Sequence, residues 1–99
     1  MPSVDIVCDP YHPAFAGHFP GRPLVPGVLL LDWAQHAIES ATGLTLQGLA
    51  AAKFLSPALP GDALTLVYEV DDQAVRFEMR CGARAVASGR FVAANRSGT

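Results

Sequence analysis

The sequence contains little charge, and no part of it concentrates positive charge. Of its 99 residues only 16% are charged, the formal net charge is −2, and the seven Lys and Arg residues are scattered along the chain. Nucleic-acid-binding domains usually carry a basic patch or stripe on one face. We therefore expect no nucleic-acid partner.

A long hydrophobic run and a secretory signal are also missing. The longest apolar run, residues 24–31, is interrupted by Pro26 and Gly27, and it is far shorter than the ~20 residues of a membrane-spanning helix. The first residues lack the basic start and apolar stretch of a secretory signal. These features predict a cytoplasmic protein with no membrane partner.

Cysteine is scarce, since Cys8 and Cys81 are the only two. Both lie in stretches that are typical of strands, and we interpret them as buried thiols. The sequence shows no clustered metal-ligand spacing and no phosphate-binding glycine motif. It therefore predicts no metal and no cofactor.

Apolar residues are abundant: 51% of the chain is hydrophobic and the mean hydropathy is +0.28. The length predicts a single domain over residues 1–99, and a domain this small buries only about two thirds of the surface that its unfolded chain exposes. Such a composition indicates apolar surface that is covered by another subunit. We predict a homodimer or a higher oligomer.

Proline and glycine cluster in residues 9–27, which hold five prolines and three glycines. This composition cannot sustain a helix or a strand ladder, so it predicts a long loop. A long loop inside a small domain is usually functional or disordered, and its apolar residues, which include Phe15 and Phe19, argue against disorder. We expect the loop to be ordered and to carry the functional site.

A helix is predicted from Pro26 to Thr42, because proline suits the first helical turn and Gly43 suits the position after the last. Its apolar residues cover most of the circumference, whereas a surface helix shows one apolar stripe. The sequence therefore predicts burial on nearly every side. The exception is a polar line whose spacing places it on one helical face: Asp32, Gln35, His36 and Glu39.

The remaining segments favour strands. Residues 3–8 are rich in β-branched side chains, and residues 44–55 are ambiguous. Residues 63–70 and 75–81 alternate clearly between apolar and polar side chains, and residues 84–94 form a weaker last strand. Alternation indicates a sheet with one buried and one wet face. Together with the enclosed helix, it predicts an α+β domain in which an antiparallel sheet wraps around the helix.

The most specific motif lies where the loop meets the helix. Residues 17–28 read Gly-His-Phe-Pro-Gly-Arg-Pro-Leu-Val-Pro-Gly-Val, and Leu31-Asp32 follows. This segment resembles the active-site sequence of the bacterial 3-hydroxyacyl-acyl carrier protein dehydratases of the FabA and FabZ type. The run from Lys53-Phe54 to Gly61-Asp62 resembles their next strand and turn, and the resemblance spans Ser3 to Ala94.

The resemblance implies the dimeric hot-dog fold and the dehydration of 3-hydroxyacyl thioesters on acyl carrier protein to trans-2-enoyl thioesters, in fatty-acid or polyene/polyketide-type biosynthesis. In that family a histidine at the position of His18 acts as the base. An acid at the position of Asp32, from the other subunit, assists departure of the hydroxyl. The backbone N–H at the position of Gly27 holds the thioester carbonyl.

Three further side chains beside these positions are candidates for contact with the substrate: Phe19, Val28 and Trp33. Trp33 stands where the family usually has a small residue, so it would narrow an acyl channel, but a core aromatic explains it equally well.

The chemistry is consistent with these roles. A histidine, with an ordinary pKa of about 6.5, is neutral enough near pH 7 to accept a proton. Asp32 can give a proton to the leaving hydroxyl only if enclosed apolar surroundings keep it protonated; alternatively it positions a water. His36 replaces the amide that the family usually has there, and it is placed to contact Asp32 across one helical turn.

Two alternatives remain open. One is a non-catalytic or partner-dependent hot-dog subunit that binds an acyl chain, which the unusual Trp33 and His36 favour. The other is an acyl thioesterase on the same fold, which would use an acid to activate water. The Gly-His-Phe-Pro-Gly loop argues against the thioesterase.

Overall fold

The computed structural model describes residues 2–8 and 25–93. His18, Phe19 and most of the predicted loop lie outside the described residues. The elements are one helix, α1, and five strands: β1 (Ser3–Val7), α1 (Gly27–Thr42), β2 (Leu46–Phe54), β3 (Ala63–Val70), β4 (Ala74–Cys81) and β5 (Arg84–Ala93).

The five strands form one sheet in the order β1-β3-β4-β5-β2, and all neighbouring strands are antiparallel. Helix α1 packs against one face of this sheet, and the two share one hydrophobic core. The α+β prediction is confirmed, and the arrangement is the hot-dog fold. The two clearly alternating segments became β3 and β4 within one residue of their predicted bounds, and the ambiguous segment became the edge strand β2.

The strand register explains which side chains form the core. Leu66 pairs with Met79 and Tyr68 pairs with Phe77, and all four are buried. The alternate pair Glu69 and Arg76 is exposed on the other face. Because directly opposite residues share a face of the sheet, the two alternating patterns reinforce one another.

The helix departs from the sequence prediction in one respect. Its buried residues are Leu29, Leu30, Ala34 and Ile38, whereas Val28 is 76% exposed. The prediction that the helix is buried on nearly every side is wrong for the single chain, because one sheet covers only one side of a helix.

The end of α1 is tied to the start of β2. The chain turns at Gly43, whose φ of 75° lies in the left-handed region and whose N–H donates to the Glu39 carbonyl at 2.9 Å. The carboxylate of Glu39 then accepts from the N–H of Leu46, the first residue of β2, at 2.9 Å. One residue of the predicted polar line thus has a structural role.

Cys8 and Cys81 are both free thiols. Cys8 is completely buried beyond the end of β1. Cys81 is only partly buried, because it ends β4 next to the turn at Gly82, so burial is confirmed for Cys8 alone. In residues 2–8 and 25–93, no helix combines the length and hydrophobicity needed to cross a membrane.

Candidate active site

Asp32 lies on the outward side of α1. Leu30, Ala34 and Ile38 define the side that faces the sheet, and a residue two positions after Leu30 is about 200° further round a helix. The Asp32 side chain is accordingly 61% exposed. The enclosure expected around this acid is therefore not supplied by the described residues of its own chain.

His36 stands next to Asp32 as the helical spacing predicts. Its Nε2 lies 4.0 Å from Asp32 Oδ1, and its side chain is 76% exposed. This distance is too long for a hydrogen bond. The pair is an exposed contact whose strength depends on the charge of the histidine.

Gly27 is the first residue of α1 and follows Pro26, the residue that caps the helix. The first N–H groups of an α-helix have no acceptor within the helix, and they lie at the positive end of its dipole. A carbonyl oxygen that gains negative charge during a reaction would be stabilised there. The position of Gly27 is therefore suited to the role expected for its N–H.

A pocket of about 450 Å³ opens beside Gly27. Its walls come from the start of α1 and from the end of β2 with the segment that follows: Val25, Gly27, Leu30, Phe54, Leu55, Ser56, Pro57 and Ala58. None of these described lining residues carries an ionisable side chain. A mostly apolar pocket that ends at a helix N-terminus fits an uncharged hydrocarbon chain that carries one carbonyl group.

Hydrogen bonds hold the segment after β2, which forms one wall of this pocket. The Val25 N–H donates to the Ala58 carbonyl at 2.9 Å, which joins the segment before α1 to the segment after β2. Arg84 donates to Ser56 Oγ at 2.9 Å and to the Pro57 carbonyl at 2.6 Å, and it lies 3.7 Å from the Asp62 carboxylate. The backbone of this wall is thus held in place.

The structure does not bring all the predicted site residues together. Gly27 lines the pocket, whereas Asp32 and the exposed Val28 lie on the outward side of the helix. Trp33 is partly buried and packs against the core, which favours the core-aromatic interpretation. His18 and Phe19 lie outside the described residues. In the described part of the chain, no cluster of three or more His, Cys, Asp or Glu residues could hold a metal ion.

Sequence reasoning missed the other pocket residues. Phe54, Leu55 and Ala58 line the pocket. The sequence identifies residues 53–62 only as a strand and a turn. The turn after the strand offered a partial indication, since binding residues often lie on loops that a rigid scaffold positions.

A match to the sequence model of a protein family shows which family the chain belongs to. The model of the ApeI-like family, described as ApeI dehydratase, matches residues 2–90. The chain belongs to the ApeI-like dehydratase family. The matched range contains β1 to β4, the helix, most of β5 and the motif around His18.

The chain is also similar to curated proteins named 3-hydroxyacyl-[acyl-carrier-protein] dehydratase FabZ. The protein from Chlamydia trachomatis serovar D is 43% identical over 68 residues, which cover 58% of this chain and 44% of the relative. The protein from Verminephrobacter eiseniae is 36% identical over 83 residues, which cover 68% and 51%. The chain spans about half the length of the curated relatives it matches.

Solved structures resemble the whole fold. The dehydratase heterocomplex ApeI:P from Xenorhabdus doucetiae contains a chain that is 28% identical, with a TM-score of 0.80 over 94% of this chain and 86% of that one. An uncharacterized protein from Erwinia carotovora is 32% identical, with a TM-score of 0.74 over 96% and 83%. The fluoroacetyl-CoA thioesterase FlK, at 16% identity and a TM-score of 0.61 over 99% and 92%, shares the fold alone.

Proposed function

We propose that this chain dehydrates 3-hydroxyacyl thioesters carried on acyl carrier protein and forms trans-2-enoyl thioesters. The observation that carries the proposal is the apolar pocket that ends at Gly27, in a chain of the ApeI-like dehydratase family. The pocket would hold the acyl chain, and the Gly27 N–H would hold the thioester carbonyl.

The proposed reaction uses His18 and Asp32 as a pair. His18 removes a proton from the carbon next to the carbonyl, and the electron pair moves toward the carbonyl oxygen, where the Gly27 N–H stabilises the charge. The double bond then forms as the C–O bond to the hydroxyl breaks. Asp32 supplies the proton with which that hydroxyl leaves as water, or it positions a water that does so.

The outward position of Asp32 supports a site shared between subunits. An acid that is 61% exposed on the side of α1 away from its own sheet is free to complete the site of a second chain. That chain would also cover the carboxylate, which is the enclosure an acid needs to stay protonated. We therefore place His18 and Gly27 of one subunit opposite Asp32 of its partner.

The test is the ultraviolet absorbance of the enoyl thioester that forms from a 3-hydroxyacyl carrier-protein substrate. Loss of general acid–base catalysis should lower turnover at least about 100-fold in His18→Ala and in Asp32→Asn. Asp72→Asn, a matched change at an exposed acid in the β3–β4 turn, should keep native turnover. Native rates in His18→Ala would refute the proposed mechanism.

A partner-dependent subunit is the second candidate. A solved structure that resembles this chain is part of a heterocomplex, which favours a chain that needs a different subunit to complete its site. In that case the chain alone would show no turnover on any acyl length, and adding the second subunit would produce it. Release of free thiol without enoyl absorbance would instead indicate a thioesterase.

A further inference from the structure

The ring of Phe54 lies directly over Gly27. A Cβ atom built on Gly27 would stand 2.7 Å from Phe54 Cζ and 2.8 Å from Cε1, where ordinary van der Waals contacts begin at 3.4 Å. No side chain fits at position 27 while the ring keeps this place. The ring therefore borders the N-terminus of α1 where a thioester carbonyl is proposed to bind.

The backbone of Phe54 is fixed, but its ring is not enclosed. Phe54 pairs with Ala87 at the end of β2, and the next N–H, that of Leu55, donates to the Val86 carbonyl at 2.8 Å. The Phe54 residue is nevertheless 55% exposed. The atoms closest to Gly27 are those at the far end of the side chain, so rotation about its two side-chain torsions can move them.

The pocket thus has one wall that hydrogen bonds hold in place and one wall, the Phe54 ring, that can move. Arg84 and the Val25–Ala58 hydrogen bond hold the segment after β2, whereas the Phe54 side chain is restrained on fewer sides. The width available next to Gly27 depends on where this ring stands.

We propose that Phe54 is a specificity-determining residue, which limits the width of the acyl chain where it meets Gly27. This inference rests on the proposed function, since it assumes an acyl thioester in the pocket. The described lining residues offer no ionisable side chain, so the preferred ligand is an uncharged chain. Chains that branch close to the thioester collide with the ring.

Binding of non-reactive acyl-pantetheine analogues tests the proposal without turnover. The dissociation constants of a straight-chain analogue and of one methyl-branched near the carbonyl are compared by calorimetry on the full chain. A single misplaced methyl group commonly changes discrimination about 10-fold or more. We expect native protein to prefer the straight analogue by about that factor, and Phe54→Ala to lose the preference.

Leu59→Ala is the matched control, because Leu59 is a similarly exposed apolar residue, at 47%, that is absent from the pocket lining. It should keep the native preference. A Phe54→Ala variant with the native ratio would overturn the proposal, and so would failure of the native protein to bind either analogue. Selective binding without dehydration would defeat the proposed function and leave the role of Phe54 standing.

A double-mutant cycle tests the contact between Phe54 and Gly27 separately, with the midpoint temperature of thermal unfolding as the measurement. Gly27→Ala should lower the midpoint when Phe54 is present, and it should lower it less in a Phe54→Ala background, because the colliding ring is gone. Strictly additive shifts would show that the ring does not resist a group placed at position 27, and they would overturn the proposal.

Discussion

At the scale of single residues, Cys8 shows how the sheet changes the chemistry of one group. Its N–H donates to the Asp62 carbonyl at 2.9 Å and its carbonyl accepts from the Gly61 N–H at 2.6 Å, so the thiol is held in the core just beyond β1. Burial, with smaller contributions from Asp62 and Cys81, raises the pKa of the thiol from 9.0 to about 11. At neutral pH the Cys8 thiol is protonated and shielded, which makes it an inert core group.

The raised pKa predicts a loss of stability at alkaline pH. Below about pH 9 the thiol is protonated in both states; between about pH 9 and 11 the unfolded chain loses the proton first, so unfolding becomes easier. The contribution is on the order of 3 kcal/mol. Denaturant unfolding at a series of pH values should show a shallower decline above pH 9 in Cys8→Ala than in native protein or Cys81→Ala. Equal declines in all three would contradict the raised pKa.

Residues differ in how far the sequence alone could place them. The motif placed Gly27 at the start of the helix, because proline and glycine have strong local preferences there. The exposure of Asp32 could not be predicted in this way, since the helix is apolar on almost every side and its sequence does not say which sides one chain covers. Phe54 could not be assigned to the site because its contact with Gly27 joins two elements that are distant in sequence.

At the scale of elements, the strands also differ in how far the sequence alone could predict them. β3 and β4 were predictable because one face of each is buried and the other is wet, which produces alternation in the sequence. β2 was ambiguous because most of its residues are exposed on both faces and its sequence is rich in alanine and glycine. An edge strand with one neighbour leaves a weaker pattern than a central strand.

The left-handed backbone at the end of α1 predicts how much stability a substitution of Gly43 costs. Gly43 ends α1 with a φ of 75°, and no atom lies within 4 Å of the place where a Cβ would stand. The cost of Gly43→Ala is therefore one of backbone conformation, about 1 kcal/mol of unfolding free energy. Gly43→Asn should cost less, because asparagine tolerates the left-handed region. Chemical denaturation measures all of these values.

Gly48→Ala provides the control for this comparison. Gly48 also has open space around it, but its φ is not positive, and it lies in β2. Substitution there should leave stability unchanged or slightly increase it, since alanine loses less backbone freedom on folding. If Gly43→Ala proved as harmless as Gly48→Ala, the left-handed end of α1 would be contradicted.

At the scale of the whole molecule, the single chain leaves apolar surface uncovered. Val28 on the outward side of α1 is 76% exposed, and Leu49 on the edge strand β2 is 43% exposed. Asp32 shares the outward side of the helix with Val28. Small domains often gain the burial they lack by association, and a second chain placed over this side of α1 would also bring Asp32 toward a neighbouring site.

Mixing two inactive variants tests this arrangement. If His18 and Asp32 of one site come from different chains, a dimer of one His18→Ala chain and one Asp32→Asn chain has one site with both changes and one intact site. Random re-association makes half of the dimers mixed, so turnover should recover to about a quarter of the native value. The assay is enoyl absorbance after co-refolding the two variants in equal amounts, with each variant refolded alone as the control.

The size of the recovery separates the possible assemblies. A pair within one chain would give no recovery, because every chain in the mixture lacks one of its two groups. If the chain instead needs a different subunit to supply the acid, Asp32→Asn would retain its turnover when that subunit is present, whereas His18→Ala would not. Recovery near a quarter would therefore establish that two copies of this chain share each site, and that the exposed Asp32 of one copy acts with His18 of the other.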